Sequence, residues 1–400
     1  MKNSIIERAD KDTLRELFSE SLDDVHKREQ SSFDKLAGPF KTSLVLFGAG
    51  GLGKKTLAGL RRIGIEPLAF ADNNPILWGK DINGVPVLSL EDASRKFGKS
   101  AAFVITIWKG EATDTMAERQ KQLTDLNCEK VIPFSYLYWK YGSAFLPHYA
   151  FDMPHKVFEQ YEEVQKVFSL WSDDASRREY IAQLKWRMFM DFDGLPAPVT
   201  HEIYFPDDLT SFLPNEEFID CGAYDGDTIR SLLQVIGAFS GNIIAFEPDP
   251  ENFKKLEEYA SSLKGRTKEI LKVYPFAIGA QKSRVRFEAS GTEASSVGSG
   301  DIEVDCVALD EILYDQKPTY IKMDIEGSEL QALEGAQNII KKNLPVLAIC
   351  SYHSQDHLWK IPALINSFSD QYRFFLRPHL LEVWDLVCYA IPANRLHPGK

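Results

Sequence analysis

The sequence predicts an α/β protein with a mostly parallel, Rossmann-like sheet in its C-terminal half, a small Rossmann-like α/β domain ahead of it, and a helical connector between the two. Three observations predict this. Apolar runs of strand length alternate with helix-length stretches from about residue 42 to 132, and again from 216 onward. Each series opens with a strand, a glycine turn and a helix. Between about 134 and 215 the strand signal disappears, and aromatics at helical spacing take over (Phe158, Tyr161, Phe168, Trp171, Tyr180, Trp186).

Taken in order, residues 1–40 carry Leu14, Leu17, Phe18 and Leu22 at helical spacing on a charged background, which predicts an N-terminal helical segment. Residues 41–133 read as the small α/β domain: a strand at Ser43–Phe47, the turn Gly48–Gly53, a helix from Thr56 to Ile63, a strand at Pro67–Ala71 ending in Asp72, then strands at Val85–Leu88, Ala102–Ile107 and Val131–Ile132. Residues 134–215 form the connector, with a helix start at Ser172–Asp174. The aromatic run Phe134–Trp139 belongs to its packing rather than to a carbohydrate platform. Residues 216–400 hold strands expected at 217–221, 243–247, 272–277, 284–288, 302–307, 319–324, 345–350, 372–377 and 385–391. Asp249 followed by Pro250 is a helix start, an acid at the cap and proline at the first helical position.

A net charge of -12 over 400 residues, with no basic block, argues against nucleic acid and anionic membrane as partners. No window resembles a membrane span, and the charged N-terminus lacks the apolar core of a signal peptide. The five cysteines (Cys128, Cys221, Cys306, Cys350, Cys388) form no C-x-x-C pair and sit in apolar runs, as buried thiols of a reducing compartment do. Cytoplasmic localisation is the expectation.

The stretch Phe218–Asp227, followed by a strand ending at Glu247, carries the chemistry. A helix N-terminus ordinarily welcomes phosphate. Here Asp220, Asp225 and Asp227 crowd the turn, and like charges in a partly desolvated cleft repel. A ligand with positive charge and no phosphate suits it, and S-adenosylmethionine (SAM) meets both demands. Glu247, ending the next strand, is placed to accept both ribose hydroxyls.

Farther on, the chain reads Lys322-x-Asp324-x-Glu326-Gly327-x-Glu329. Together with the acidic glycine turn and Phe246-Glu-Pro248, it resembles the K-x-D-x-E-G-x-E signature of the FkbM family of SAM-dependent methyltransferases, over about residues 216–392. That resemblance implies a class I methyltransferase fold, a mostly parallel seven-stranded sheet with an extra β-hairpin. It also implies methyl transfer to a hydroxyl on a sugar or small metabolite. The cofactor residues expected are Asp220, Gly222, Ala223, Tyr224, Asp225, Thr228, Glu247, Pro248, Asp324 and, against the adenine edge, Ala277 and Ile278. The stretch Ser283–Val307, with its Ser/Gly turn near 295–300, is expected to shape the acceptor pocket.

Alternation along a strand puts Lys322, Asp324 and Glu326 on one face, costly in a central strand unless the face lines a cleft. These three and His353 are the expected catalytic residues. Many family members carry an acid late in the fifth strand where this chain reads Ala348–His353, which directs attention to His353 as base, with Asp324 second. A Lys322–Asp324 ion pair that pins a loop is the structural alternative. His353, Asp356 and His357 with Asp324 or Glu326 are permitted ligands for a divalent metal, though their spacing is not diagnostic.

The first glycine turn has a different character. Gly48, Gly50, Gly51 and Gly53 with Asp72 form a G-x-G-x-x-G pattern free of carboxylates, a second nucleotide site able to cradle a diphosphate. A nucleotide-linked sugar is favoured there over NAD, and use of the module for self-association into a homo-oligomer, with its cleft empty, stands as an equal alternative. The expected acceptor is a sugar, nucleotide-sugar or glycan. An NAD(P)-dependent oxidoreductase built on the first module is the main alternative, weakened because no Tyr-x-x-x-Lys follows the turn. A non-catalytic binding scaffold is the third.

Overall fold

The computed structural model describes residues 12–111, 114–237, 240–289, 296–297, 300 and 302–397. The chain divides into two compact units, Met1–Glu162 with Arg178–Ala197 and Leu380–Trp384, and Glu163–Arg177 with Pro198–His379 and Asp385–Lys400. The expected connector, 134–215, is therefore no unit of its own; its residues are shared out. No helix among the described residues is long and apolar enough to cross a membrane.

The first unit is built on strands β1 (Leu44–Phe47), β2 (Ala69–Ala71), β3 (Asp81–Ile82), β4 (Val85–Leu88), β5 (Ala102–Ile105) and β6 (Lys130–Pro133). They lie in the order β3-β4-β2-β1-β5-β6 and are parallel except for β3, which pairs antiparallel with β4. β1, β2 and β5 are buried at every position, as parallel strands covered on both faces must be. The aromatic run Phe134–Lys140 is a helix with Phe134, Tyr138 and Trp139 buried, so core packing is its use.

In the second unit, β7 (Glu217–Cys221), β8 (Asn242–Phe246), β9 (Leu271–Tyr274), β14 (Tyr320–Met323), β15 (Val346–Cys350), β16 (Tyr372–Pro378) and β17 (Leu386–Pro392) make a seven-stranded sheet ordered β16-β17-β15-β14-β7-β8-β9. Only β17 runs against its neighbours. The order reverses between β7 and β14, and ligands of open α/β sheets bind beyond the carboxyl ends of strands at such a switch. Asp249 accepts from the N–H groups of Glu251 and Asn252, capping helix Pro250–Ser262.

The expected hairpin is the centre of a separate four-stranded sheet, in which β10 (Ala277–Ile278), β11 (Ser283–Glu288), β12 (Ser296–Val297) and β13 (Ile302–Val307) are ordered β10-β13-β11-β12. Much of the Ser/Gly turn near 295–300, like residues 1–11 of the N-terminal segment, lies outside the described residues. All five cysteines are buried and none is in a disulfide.

Candidate active site

β7 ends at Cys221, and the chain turns through Gly222 (φ +83°), Tyr224 (φ 47°) and Gly226 (φ +91°) before helix Asp227–Ile236 begins. A Cβ on Gly222 would stand 1.8 Å from the Asp324 carbonyl oxygen, so this turn closes on the end of β14 only with glycine there. The N–H groups of Gly222 and Ala223 both donate to the Phe246 carbonyl at 3.0 Å, and that of Tyr224 donates to Glu247 Oε2 at 2.9 Å. Glu247 Oε1 accepts from the Asp249 N–H, also at 2.9 Å. Each carboxylate oxygen thus holds one backbone donor and keeps further lone pairs, which fits the two hydroxyls of a ribose. Burial pushes Glu247 up to about 7, with the two N–H donors pulling it back.

The acidic crowding expected around this turn is partly cancelled. Asp220 is fully buried and paired with Lys322, Nζ 3.1 Å from Oδ1, while Lys322 also donates to the Gly222 carbonyl at 2.6 Å. Asp225 pairs with Arg230 at 2.5 Å. Asp227 accepts from the Thr228 N–H at 2.7 Å in the first helical turn. Repulsion of phosphate by three bare carboxylates therefore overstates the case. Lys322 also departs from its expected role. Register pairs it with Asp220 rather than Asp324, and with 2% side-chain exposure it braces the glycine turn.

Past β14 the chain bends through Glu326 (φ 51°) and Gly327 (φ +103°). A non-glycine residue in the left-handed region is uncommon, and here it keeps the Glu326 carboxylate close to His353, 3.6 Å from Nε2. His353 Nε2 also lies 3.3 Å from Asp324 Oδ1, while Nδ1 lies 2.8 Å from Glu329 Oε1. Glu329 Oε2 is 3.2 Å from His357 Nδ1, and its Oε1 accepts from the Ile325 N–H at 3.0 Å. Burial alone would lower the pKa of His353, but Glu329 and Glu326 outweigh it and raise the pKa well above the ordinary value. With a side chain 1% exposed, that shift favours the imidazolium and tells against the role of base expected of His353. The open carboxylates are Asp324 and Glu326, 24% and 15% exposed. Burial raises the pKa of Glu326 against the pull of His353.

Sequence reasoning missed Tyr204. Its hydroxyl donates to Asp324 Oδ2 at 2.6 Å, and its ring lies 5.1 Å from Lys322 Nζ. It sits in an irregular stretch with no periodicity to mark it. The ligating atoms of Asp324, Glu329 and His353 lie within 4.8 Å of one another and could hold a metal ion. Asp356 is not among them: it faces Lys360 at 2.7 Å and Ser354 at 2.8 Å. Pro248 flanks Glu247 half-buried, and Thr228 is buried in the helix. Ala277 and Ile278, each 3% exposed, pair with Cys306 and Val307, and Ala277 joins the core of the four-stranded sheet with Phe287. The Ala277 side chain thus packs inward rather than against an adenine edge.

In the first unit, Asp72 accepts from the N–H groups of Ala49 at 2.7 Å and Asn74 at 2.8 Å, bracing the glycine turn. A Cβ at Gly53 would meet the Gly48 carbonyl oxygen at 1.9 Å, so this glycine serves close helix–strand packing. Cβ atoms at Gly50 or Gly51 would meet nothing within 4 Å, and the turn is open there.

Three comparisons bear on this geometry. A crystal structure of methyltransferase FkbM from Methylobacillus flagellatus shares the fold, with a TM-score of 0.74 and 21% identity over 92% of this chain and 99% of that one. The hexuronic acid methyltransferase AglP of Haloferax volcanii is 31% identical over 110 residues, 25% of this chain and 43% of that protein, so this chain spans less than half the length of that relative. The family described as Methyltransferase FkbM domain matches residues 220–379, the segment that runs from the buried Asp220 through Glu247, Asp324 and His353. Over residues 220–379 this chain is thus similar to the methyltransferase FkbM domain.

Proposed function

We propose that the chain is a SAM-dependent O-methyltransferase acting on a hydroxyl of a sugar, nucleotide-sugar or glycan. The observation that carries this is the convergence of the Gly222 turn, Glu247, Asp324 and Glu326 beyond the ends of adjacent strands β8, β7 and β14, with one buried and two partly open carboxylates. The relative named as a hexuronic acid methyltransferase supports the acceptor class.

SAM, when bound, supplies an activated methyl group on a sulfonium. Glu247 holds the ribose through its remaining lone pairs, and the Gly222–Tyr224 backbone follows the cofactor closely. Asp324 and Glu326 face the acceptor. Glu326 takes the hydroxyl proton, because Asp324 already holds the Tyr204 hydroxyl and the His353 imidazolium. His353 is a positioning residue that acts through both. Asp324, Glu329 and His353 would hold a metal ion only with the His353 ring deprotonated, and the ion would then polarise the acceptor oxygen. In the first unit, the open positions at Gly50 and Gly51 favour a diphosphate, such as that of a nucleotide-linked acceptor.

The test is calorimetric titration with S-adenosylhomocysteine, alongside turnover. Glu247→Ala is expected to lose roughly 2 kcal/mol of binding. Glu326→Gln is expected to keep binding and lose roughly 10²–10⁴-fold in turnover. Unchanged affinity in the first variant removes the ribose assignment, and normal turnover in the second removes Glu326 as base.

A further inference from the structure

The helix Leu22–Ala37 in the first unit buries Val25, Glu29, Phe33 and Ala37, a stripe at four-residue spacing. One of the four is a carboxylate, 1% exposed. A buried carboxylate is costly unless its charge is met. Among the described residues the ion pairs of Glu29 are with histidines alone. His155 Nδ1 lies 3.0 Å from Oε2 and 3.1 Å from Oε1, and His26 Nδ1 lies 3.5 Å from Oε2. The two imidazole rings stand 4.5 Å apart, tilted by 38°.

The other carboxylate oxygen is already anchored. Oε1 accepts from the His155 backbone N–H at 2.7 Å, which fixes the group and presents Oε2 between the two ring nitrogens. One donor atom from each of the three residues lies within 4.8 Å of the others. A tetrahedral zinc ion with bonds of roughly 2.0–2.1 Å needs ligand atoms about 3.3 Å apart, and the separations of 3.0 and 3.5 Å bracket that edge.

We propose that His26, Glu29 and His155 form a metal site of the zinc class, with two imidazole nitrogens and one carboxylate oxygen as ligands. The side chains of His26 and His155 are 51% and 20% exposed, so an ion can enter and water can take the fourth position. The ion clips helix Leu22–Ala37 to helix His155–Glu159. All three residues lie outside 220–379, so the site stands or falls independently of the proposed methyl transfer.

The experiment titrates the chelator-treated full chain with zinc by calorimetry and with cobalt by absorption spectroscopy. Two other His/Asp/Glu groups, at His201 and at His353, could take metal, so site-specific variants decide the matter. The expected result is a micromolar or tighter zinc equivalent that survives in His201→Ala. It should weaken in His26→Ala and in Glu29→Gln by more than the roughly 10–100-fold that loss of an outer partner brings. Cobalt at the site is expected to show the intense bands of four-coordination. His26 is half exposed, so its variant is expected to fold, which circular dichroism checks. Zinc binding that is absent in the wild-type chain, or equally tight in both variants, overturns the proposal.

Discussion

Replacing Lys322 with methionine tests the reading of the buried pair beside the glycine turn. Lys322 and Asp220 are Cα partners across β14 and β7, with side chains 2% and 0% exposed and Nζ 3.1 Å from Oδ1. Methionine keeps the volume but leaves the carboxylate without its cation and the Gly222 carbonyl without its donor. Breaking such a pair from one side costs roughly 3–5 kcal/mol. For a unit of this size that is about 6–20 °C in melting temperature, at roughly 2–4 °C per kcal/mol. The loss should depend on pH. Burial first, then Asp227, push Asp220 up to about 6 in the folded chain, above the ordinary 3.8, and Lys322 is what restrains it. Without Lys322 it climbs further. A carboxyl whose folded pKa is raised binds more protons folded than unfolded, so its contribution to stability falls as pH rises through the folded value. The variant should therefore lose most at pH 8 and less at pH 5, where Asp220 can take a proton. Adding Asp220→Asn should recover part of the loss at pH 8. Differential scanning calorimetry of both variants at the two pH values is the assay. Equal stability of Lys322→Met and wild type at pH 8, or the same loss at both pH values, would refute the reasoning.

Three further outcomes follow from the carboxylate–imidazole cluster. Glu329→Gln removes the largest charge that offsets burial at His353 and leaves Glu326 beside it, so the pKa of the ring should fall relative to the wild type, as nitrogen-15 NMR can read. In the wild type the raised His353 pKa contributes stability that is complete below about 6.5 and is lost as pH rises toward the folded value, and a flat pH profile in the wild type would contradict this. Tyr204→Phe deletes one charge-assisted bond to Asp324, worth roughly 1.5–3 kcal/mol, and should lower kcat by about 10- to 100-fold while leaving S-adenosylhomocysteine affinity nearly intact. An unchanged kcat would show that Asp324 needs no help from this hydroxyl.

Local pattern made much of the second unit legible. β7, β8, β13 and β15 fall within a residue of where apolar runs place them, because a buried parallel strand is a short apolar run ended by a turn. The Asp249–Pro250 cap is a signal of three or four residues, and it too was readable. What period could not supply was partnership across strands. Alternation along β14 puts Lys322 on the face of Asp324, two residues away, yet the register with β7 hands it to Asp220, far earlier in the chain. That single pairing changes the electrostatic character of the turn from three bare acids to a partly neutralised one. The charge of His353 was hidden for the same reason. Its ordinary pKa suggests a base, but Asp324, Glu326 and Glu329 close on it from another strand end, and Glu329 and Glu326 raise that pKa. Once it holds its proton, the burden of accepting one passes to the carboxylates that the signature already contains. The acidic residues of the signature therefore divide the labour by exposure. Glu329, fully buried, sets the charge of the histidine, and Asp324 and Glu326, partly open, can meet a substrate.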